Sequence, residues 1–381
     1  MHVVSSKENL LKGIQSVLRA VSSRGPLPIL THIKLEADAS AQRPLGDPSG
    51  KGVLRLSATD LDVGLEAVIP AEVLESGAVA VSGRTFSEIV AKMPQAAVDL
   101  SVQESSAEMT LRCQRSRFHL RGMHAREFPT LPRFDDASVL TLDAQTLLAG
   151  IRRTAFAIAG DDKGVISGLF VNLVDGNLEL VATDGFRLAQ LRTTVDAPLQ
   201  DVSMVFPKRA IDELVRQLGH AGSLPVGLRL NGQQVAFSFP DRYMTMRLID
   251  GTYPNYRQII PSTFTREAIL DRASLAAAVD RVGVMASERE SHCVKMEFNA
   301  SGELNMVTGN QEVGDSQELL NCEYQGEPLT IHFNAAYLGE ALKHTQSESV
   351  RLSMNTTLSP ALIRSLEDDG HLVLLMPINR G

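Results

Sequence analysis

Three segments of this 381-residue chain carry the same local pattern at nearly equal spacing: Leu56-Ser-Ala-Thr-Asp60, Leu180-Val-Ala-Thr-Asp-Gly185 and Leu304-Asn-Met-Val-Thr-Gly309. Their threonines, Thr59, Thr183 and Thr308, are separated by 124 and 125 residues. Self-similarity at domain length means one fold used in series. Copies of one unit in a row build a surface or a ring more readily than a lone catalytic pocket.

The rest of the pattern repeats in the same order. An amphipathic helix opens each unit, over Ser6–Val21, Asp143–Ile158 and Asp271–Ala286, with Asp143 and Asp271 placed as N-caps. Apolar residues fall on one face of each: Leu10, Ile14, Val17 and Val21; Leu147, Leu148, Ile151, Ala155 and Ile158; Leu275, Val279, Val282 and Ala286. A second helix follows each Thr segment, over Thr85–Met93, Arg209–Leu218 and Ala335–His344. Alternating strands such as Val53–Ala58, Leu178–Thr183, Glu303–Val307, Gly227–Leu230 and Gln234–Phe239 fill the intervals. The first two units close on Phe128-Pro-Thr-Leu-Pro132 and on Tyr253-Pro-Asn-Tyr256 through Pro261. The pattern predicts an α+β chain of three similar domains, 1–136, 137–262 and 263–381, each with two helices packed on antiparallel sheets.

Aromatic residues are 5% of the chain and Trp is absent, so aliphatic packing must dominate each core. Cys113, Cys293 and Cys322 have no metal-ligand spacing and read as buried thiols of a reducing compartment. With no charged-then-apolar leader and no membrane-length apolar run, the expectation is a soluble cytoplasmic protein. The net charge is −8, but its distribution matters more than its sum. The six helical windows and their basic N-terminal flanks carry thirteen basic and eight acidic residues, a net +5 that leaves −13 elsewhere. Helices sharing one side would make that side positive on an acidic body; a solvated face of mixed charge is the plainer reading.

Four further motifs stand in order along the repeat: Arg24-Gly-Pro-Leu-Pro-Ile-Leu30, Ala182-Thr-Asp-Gly-Phe-Arg-Leu-Ala189, Asp250-Gly-Thr-Tyr-Pro-Asn-Tyr-Arg257 with Ile259-Ile-Pro261, and Met376-Pro-Ile378. Together they resemble the bacterial sliding-clamp family, the β subunits of DNA polymerase III, over essentially the whole chain. The resemblance implies a head-to-tail homodimeric ring lined by helices. It also implies a noncatalytic role in encircling double-stranded DNA without sequence preference, holding the replicative polymerase on it and engaging clamp-loader subunits and other peptide-motif proteins. No cofactor, metal or membrane partner is implied.

The resemblance also places sites. Arg24 and Lys163 match DNA-contacting positions, and the helix residues Arg152 and Lys208 join them as candidates for phosphate contact. Gly164 and Val165 stand where the family often carries aromatic residues. A groove for partner peptides is assigned to Ile166, Thr183, Gly185, Phe186, Arg187 and Leu188, with Pro254, Gln258 and Ile259 from the connector and Leu374, Met376, Pro377 and Ile378 from the C-terminus. Phe186 replaces a common His, and Arg380 is shifted by one position from the family's tail. The subunit joint is assigned to Phe118 and Leu120 facing Val284 and Met285, with Arg115 and Arg117 opposite Glu312 and Glu318.

Enzyme readings find little support. Asp60-Leu-Asp62 resembles a paired-aspartate phosphotransferase site, but the other units do not repeat the pair. No phosphate-binding Gly-rich loop, His metal pair or nucleophile elbow is present. The alternative to a ring is a noncatalytic, non-encircling scaffold that uses the same groove for peptides.

Overall fold

A computed structural model describes residues 1–22, 27–40, 52–103, 105–134, 139–195, 201–286, 292–310 and 314–379. Arg24, Glu312, Arg380, the expected boundary at Asp136 and most of the loop Asp38–Lys51 lie outside the described residues. Among the described residues are six α-helices: α1 Lys7–Val17, α2 Gly83–Lys92, α3 Ala144–Thr154, α4 Lys208–Ala221, α5 Arg272–Gly283 and α6 Ala335–His344.

Local chemistry sets the helix starts. The Ser6 hydroxyl accepts from Asn9 N at 3.1 Å, the Asp271 carboxylate from Ser274 N at 2.7 Å and the Asn334 amide oxygen from Tyr337 N at 3.1 Å. Each cap satisfies a backbone donor that the first turn leaves free. The openers end earlier than their apolar pattern predicts. The Thr154 hydroxyl donates to the Gly150 carbonyl at 2.8 Å, competing with the helix ladder, and the chain tightens to a 3-10 turn over Ala155–Ala157. After α5, Val284, Met285 and Ala286 likewise bond back three residues.

The predicted apolar faces are the buried ones: Leu10, Ile14 and Val17 on α1, Leu147, Leu148 and Ile151 on α3, and Leu275, Val279 and Val282 on α5. Each contributes roughly 1.5–3 kcal/mol by leaving water. Glycine at a shared helix position lets α1 and α3 settle on their sheets. A Cβ on Gly13 would stand 2.9 Å from Leu56 Cδ1, and one on Gly150 2.4 Å from Leu180 Cδ1.

Packing divides the chain into two compact units, residues 1–145 with 212–248, and residues 146–211 with 249–381. The middle repeat is shared between them because continuous antiparallel sheets cross the repeat boundaries. In the first unit strand Arg242–Arg247 pairs with Val63–Pro70, Met246 opposite Val63, inside a thirteen-stranded sheet. In the second, strand Arg187–Thr194 pairs with His371–Leu375, Leu188 opposite Leu374, inside a nine-stranded sheet. A four-stranded sheet, ordered Gly314–Asn321, Glu303–Asn310, Cys293–Phe298 and Leu329–Asn334, completes the second unit. Cys113 and Cys293 are buried, whereas Cys322 is only half-buried. Among the described residues no helix is long and apolar enough to cross a membrane.

The repeated Thr-Asp pair is a turn device. Thr183 donates to the Arg187 carbonyl at 2.7 Å and accepts from Gly185 N, while Asp184 accepts from Phe186 N and Arg187 N at 2.9 and 3.0 Å. Thr59 and Asp60 repeat this wiring with Val63, Leu61 and Asp62. Asp60 therefore serves the backbone, and the paired-aspartate resemblance has a structural cause. The third copy departs from it: Thr308 donates to the Cys293 carbonyl instead. Gly185 holds φ 91°, which glycine adopts freely; the equivalent Leu61 is forced to φ 83°. Leu61→Gly is expected to stabilise the protein by about 0.5–1 kcal/mol, the strain relieved less the entropy glycine adds to the unfolded chain. A rise in the denaturant midpoint at unchanged slope checks this.

His371 carries a second stability prediction. It is fully buried on strand His371–Leu375, its Nε2 2.9 Å from the Arg153 carbonyl, which makes Nε2 the donor. Burial and the adjacent Arg153 charge outweigh Asp368 and hold the imidazole neutral, its pKa pushed down to about 4 from 6.5. Below pH 6.5 the unfolded chain binds a proton that the native state refuses. The stability is whole above that pH and falls by about 3 kcal/mol as pH drops to 4. His371→Gln should flatten this slope in denaturation titrations between pH 7 and 4.

Candidate functional site

The described residues expected to form the groove all lie in the second unit. The turn Thr183–Arg187 and the chain end are joined by backbone: Met376 N donates to the Phe186 carbonyl at 2.8 Å, and Ile378 N to the His332 carbonyl at 2.8 Å. Phe186 is 63% exposed, Ile259 47% and Met376 39%, while Pro377 and Ile378 are half-buried. Ile166, in the 3-10 turn Gly164–Ser167, packs half-buried against a cluster containing Leu188, Leu374, Tyr253 and Tyr256. Pro254, Gln258 and Ile259 lie exposed on or beside the 3-10 turn Tyr256–Ile259.

Some assignments need correction. Leu188 and Leu374 are 0% and 1% exposed and paired across neighbouring strands, so a ligand cannot touch them first. Thr183 is spent on the turn. Arg187 is 8% exposed and spent on protein partners: Asp184 at 3.0 Å, the Phe156 carbonyl at 2.8 Å and Glu340. Among the expected residues the exposed apolar side chains are therefore Phe186, Pro254, Ile259 and Met376, with Ile166, Pro377 and Ile378 half-buried.

Sequence reasoning missed Glu179, which holds the connector wall. Its carboxylate is almost wholly buried and accepts from Gln190 at 2.5 Å, from Arg192 at 3.1 Å and from Arg257, one residue before Gln258. Burial alone would raise its pKa; the surrounding donors and guanidinium groups more than offset this and hold it below the usual carboxylate range. Burial, with Glu179 beside it, pushes the Tyr256 hydroxyl up. The first unit carries the same clasp. Arg133 donates to both Glu66 oxygens at 2.6 Å and lies 4.4 Å over the Tyr243 ring, as Arg257 lies 4.9 Å over Tyr256. Arg133 and Arg257 are 124 residues apart, the repeat spacing, so the signal was present. The carboxylate changes strands between copies: position 55 is Arg where 179 is Glu, and 66 is Glu where 190 is Gln.

The basic helix residues are less uniform than their count suggests. Arg152, Lys163 and Lys208 are exposed. Arg153 turns inward to Asp368 at 2.6 Å, Arg216 is held by Glu213 and the Gln15 carbonyl, and Arg281 pairs with Glu318. Of the counted residues Arg153 and Glu213 are buried, one of each sign, so the net +5 stays at the surface, but pairs such as Arg281 with Glu318 neutralise part of it locally.

Of the expected joint residues, Arg117, Phe118, Leu120 and Glu318 lie on edge strands, Arg115 in the turn before one of them, and Val284 and Met285 just after α5. Strand Ser116–Met123 pairs along most of its length with Glu108–Cys113, but among the described residues its other side pairs only through Gly122 and Met123. Its outer edge carries Phe118, 38% exposed, and half-buried Leu120, with exposed Arg115 and Arg117 alongside. Strand Gly314–Asn321 ends the four-stranded sheet and exposes Leu319, which sequence reasoning passed over. Val284 is 81% exposed and Met285 half-buried. Glu318 is not an uncommitted acid, since Arg281 already binds it at 2.6 and 2.9 Å. Among the described residues no group of three or more His, Cys, Asp or Glu side chains could hold a metal ion.

Comparison with known proteins places this geometry. Family models for the DNA polymerase III beta subunit match in series: the N-terminal domain over residues 1–132, the central domain over 141–255 and the C-terminal domain over 257–379. A beta sliding clamp of Synechococcus elongatus is 33% identical over 383 residues, covering 99% of each chain. The crystal structure of a Bacillus subtilis DNA polymerase sliding clamp superposes with a TM-score of 0.94 at 27% identity, covering 100% of both chains. A Pseudomonas aeruginosa sliding clamp bound to griselimycin does so with a TM-score of 0.91 at 28% identity, again over 100% of both chains.

Proposed function

The chain belongs to the DNA polymerase III beta-subunit family and is a DNA sliding clamp, and we propose from that premise that it works as a head-to-tail homodimeric ring around duplex DNA, tethering its partners through the Phe186–Met376 groove. The family is one of noncatalytic processivity factors. Three domains, 1–136, 137–262 and 263–381, are assigned to each subunit, with Arg24, Arg152, Lys163 and Lys208 meeting phosphates. The observation that carries the reading is the pair of open strand edges. One bears Phe118 and arginines; the other bears Leu319 on an acidic strand, with Asp315 and Glu318. Unlike edges that complement each other between subunits make a heterologous joint that closes.

A ring that slides must contact phosphates and avoid base edges, because base contacts trap it at particular sequences. The exposed Arg152, Lys163 and Lys208 suit a sequence-independent attraction that weakens with salt. Enclosure then replaces tight binding. Loaded by a clamp loader, the protein is expected to stay on a closed DNA circle and to leave once the circle is cut, measured by gel filtration of labelled clamp with DNA. Equal retention on circle and line would favour the non-encircling scaffold.

The groove reading rests on the exposed apolar side chains Phe186, Pro254, Ile259 and Met376. At the equivalent junction of the first unit, Arg247 N bonds the Asp62 carbonyl as Met376 N bonds that of Phe186. There the two apolar residues are replaced by an acid and a base, so only one of the two junctions offers an apolar groove. Replicative polymerase and loader subunits are assigned to it as peptide partners, and griselimycin, to which a Pseudomonas aeruginosa clamp is bound, is the probe proposed for it.

A further inference from the structure

We propose that Met376 is an oxidation site, at which a hydroperoxide turns the thioether into the sulfoxide and so weakens the hold of the groove on its apolar ligands. The effect on binding rests on the groove reading above; the site itself does not.

The chain holds twelve methionines, all among the described residues. Nine are no more than 5% exposed, and Met123 and Met285 are half-buried. Met376, at 39%, is the one whose side chain stands open to solvent. The backbone explains why. Met376 follows strand His371–Leu375, whose last residue Leu375 is 2% exposed, and alternation turns the next side chain to the opposite face. Its N–H donates to the Phe186 carbonyl at 2.8 Å, and the Pro377 ring restricts the chain that follows. The main chain therefore holds the thioether outside the core.

The other oxidisable side chains are less available. Trp is absent. Cys113 and Cys293 are buried, and burial pushes the half-buried Cys322 thiol up, away from the reactive thiolate. The chemistry at Met376 is a two-electron transfer. A sulfur lone pair attacks one peroxide oxygen, and the O–O bond breaks as the S–O bond forms. The other oxygen takes up the proton and leaves, as water when the oxidant is hydrogen peroxide. Sulfur is oxidised and the peroxide reduced. The product is a polar, chiral group where the groove had a flexible apolar one. The fold accepts polarity at this position. Its equivalent in the first unit is the exposed Arg247, whose N–H bonds the Asp62 carbonyl as that of Met376 bonds Phe186. Oxidation is thus expected to change the surface without unfolding the subunit.

The test treats the full-length protein with limiting hydrogen peroxide and maps the added oxygen by mass spectrometry. Sulfoxide is expected first in the tryptic peptide 365–380, which contains no other methionine. Calorimetric titration of the same sample with griselimycin should show binding weakened about tenfold, because a sulfoxide oxygen covered by an apolar ligand loses its water. Methionine sulfoxide reductases for both epimers, with a dithiol, should restore it. The affinity of Met376→Leu, whatever its starting value, should not change under the same treatment. Oxygen arriving first at another methionine or at a cysteine overturns the site. Sulfoxide at Met376 with unchanged affinity, while Met376→Ala/Ile378→Ala still weakens binding, overturns the effect and leaves the groove intact. If that tail pair also leaves affinity unchanged, the groove reading is what fails, and the peptide map upholds or overturns the oxidation site by itself.

Discussion

Phe118→Glu is expected to convert the ring to folded monomers that do not remain on DNA. Phe118 sits 38% exposed on the open edge of strand Ser116–Met123, where the proposed joint would cover it. A carboxylate there would be buried without a partner, since the described acidic strand opposite in the ring carries Asp315 and Glu318. Breaking complementarity at such a site costs about 3 kcal/mol. A head-to-tail ring of two subunits contains the joint twice, so one substitution is felt twice. The dimer dissociation constant should rise by about four orders of magnitude. Sedimentation analysis across a concentration series measures this directly. Circular dichroism should show an unchanged fold, because Phe118 is no part of the subunit's buried core. A dimer of wild-type strength would remove Phe118 from the joint and with it the edge-to-edge reading.

The second large effect belongs to the groove. Met376→Ala with Ile378→Ala removes apolar surface from one wall while keeping the backbone bonds to the Phe186 and His332 carbonyls. Losing the two side chains from a small apolar contact should weaken griselimycin roughly fiftyfold, at about 25 cal/mol per Å² of buried area and with anchor residues dominating small interfaces. Titration calorimetry on the folded protein reads the change, with dimerisation and retention on circular DNA as unaffected controls. Deleting Leu375–Gly381 should abolish binding, but it also shortens a strand in which Leu375 pairs with Arg187 and Ala361. The double substitution is therefore the cleaner experiment. Wild-type affinity in that variant would place the ligand elsewhere on the surface.

Much of the fold was legible in the sequence because its signals are local and repeated. Helix faces such as Leu10-Ile14-Val17 follow from the 3.6-residue period, and the cap at Asp271 from side-chain chemistry next to the first turn. The Thr-Asp pairs announced themselves by spacing, although their purpose, wiring a tight turn between strands, needed the hydrogen bonds to be seen. Phe186, Ile259 and Met376, the exposed apolar residues of the proposed groove, were reachable through motif resemblance.

The rest depends on which groups share a neighbourhood, and no local pattern carries that. Arg153 and Arg152 are adjacent in sequence, yet one is buried against Asp368 and the other faces solvent, because α3 packs a single face against its sheet. Arg187 and Glu340 are 153 residues apart and Glu179 and Arg257 are 78 apart. The first pairing exists only after a sheet that crosses a repeat boundary brings its partners together, and the second only after the connector folds back onto strand Asn177–Thr183. The sequence by itself determined the repeated unit, its helices and its turns, since these are decided by periodicity, caps and backbone freedom within a few residues. Tertiary structure alone decided which charges are surface and which are clasps, because desolvation and ion pairing are set by what the rest of the chain packs against each group.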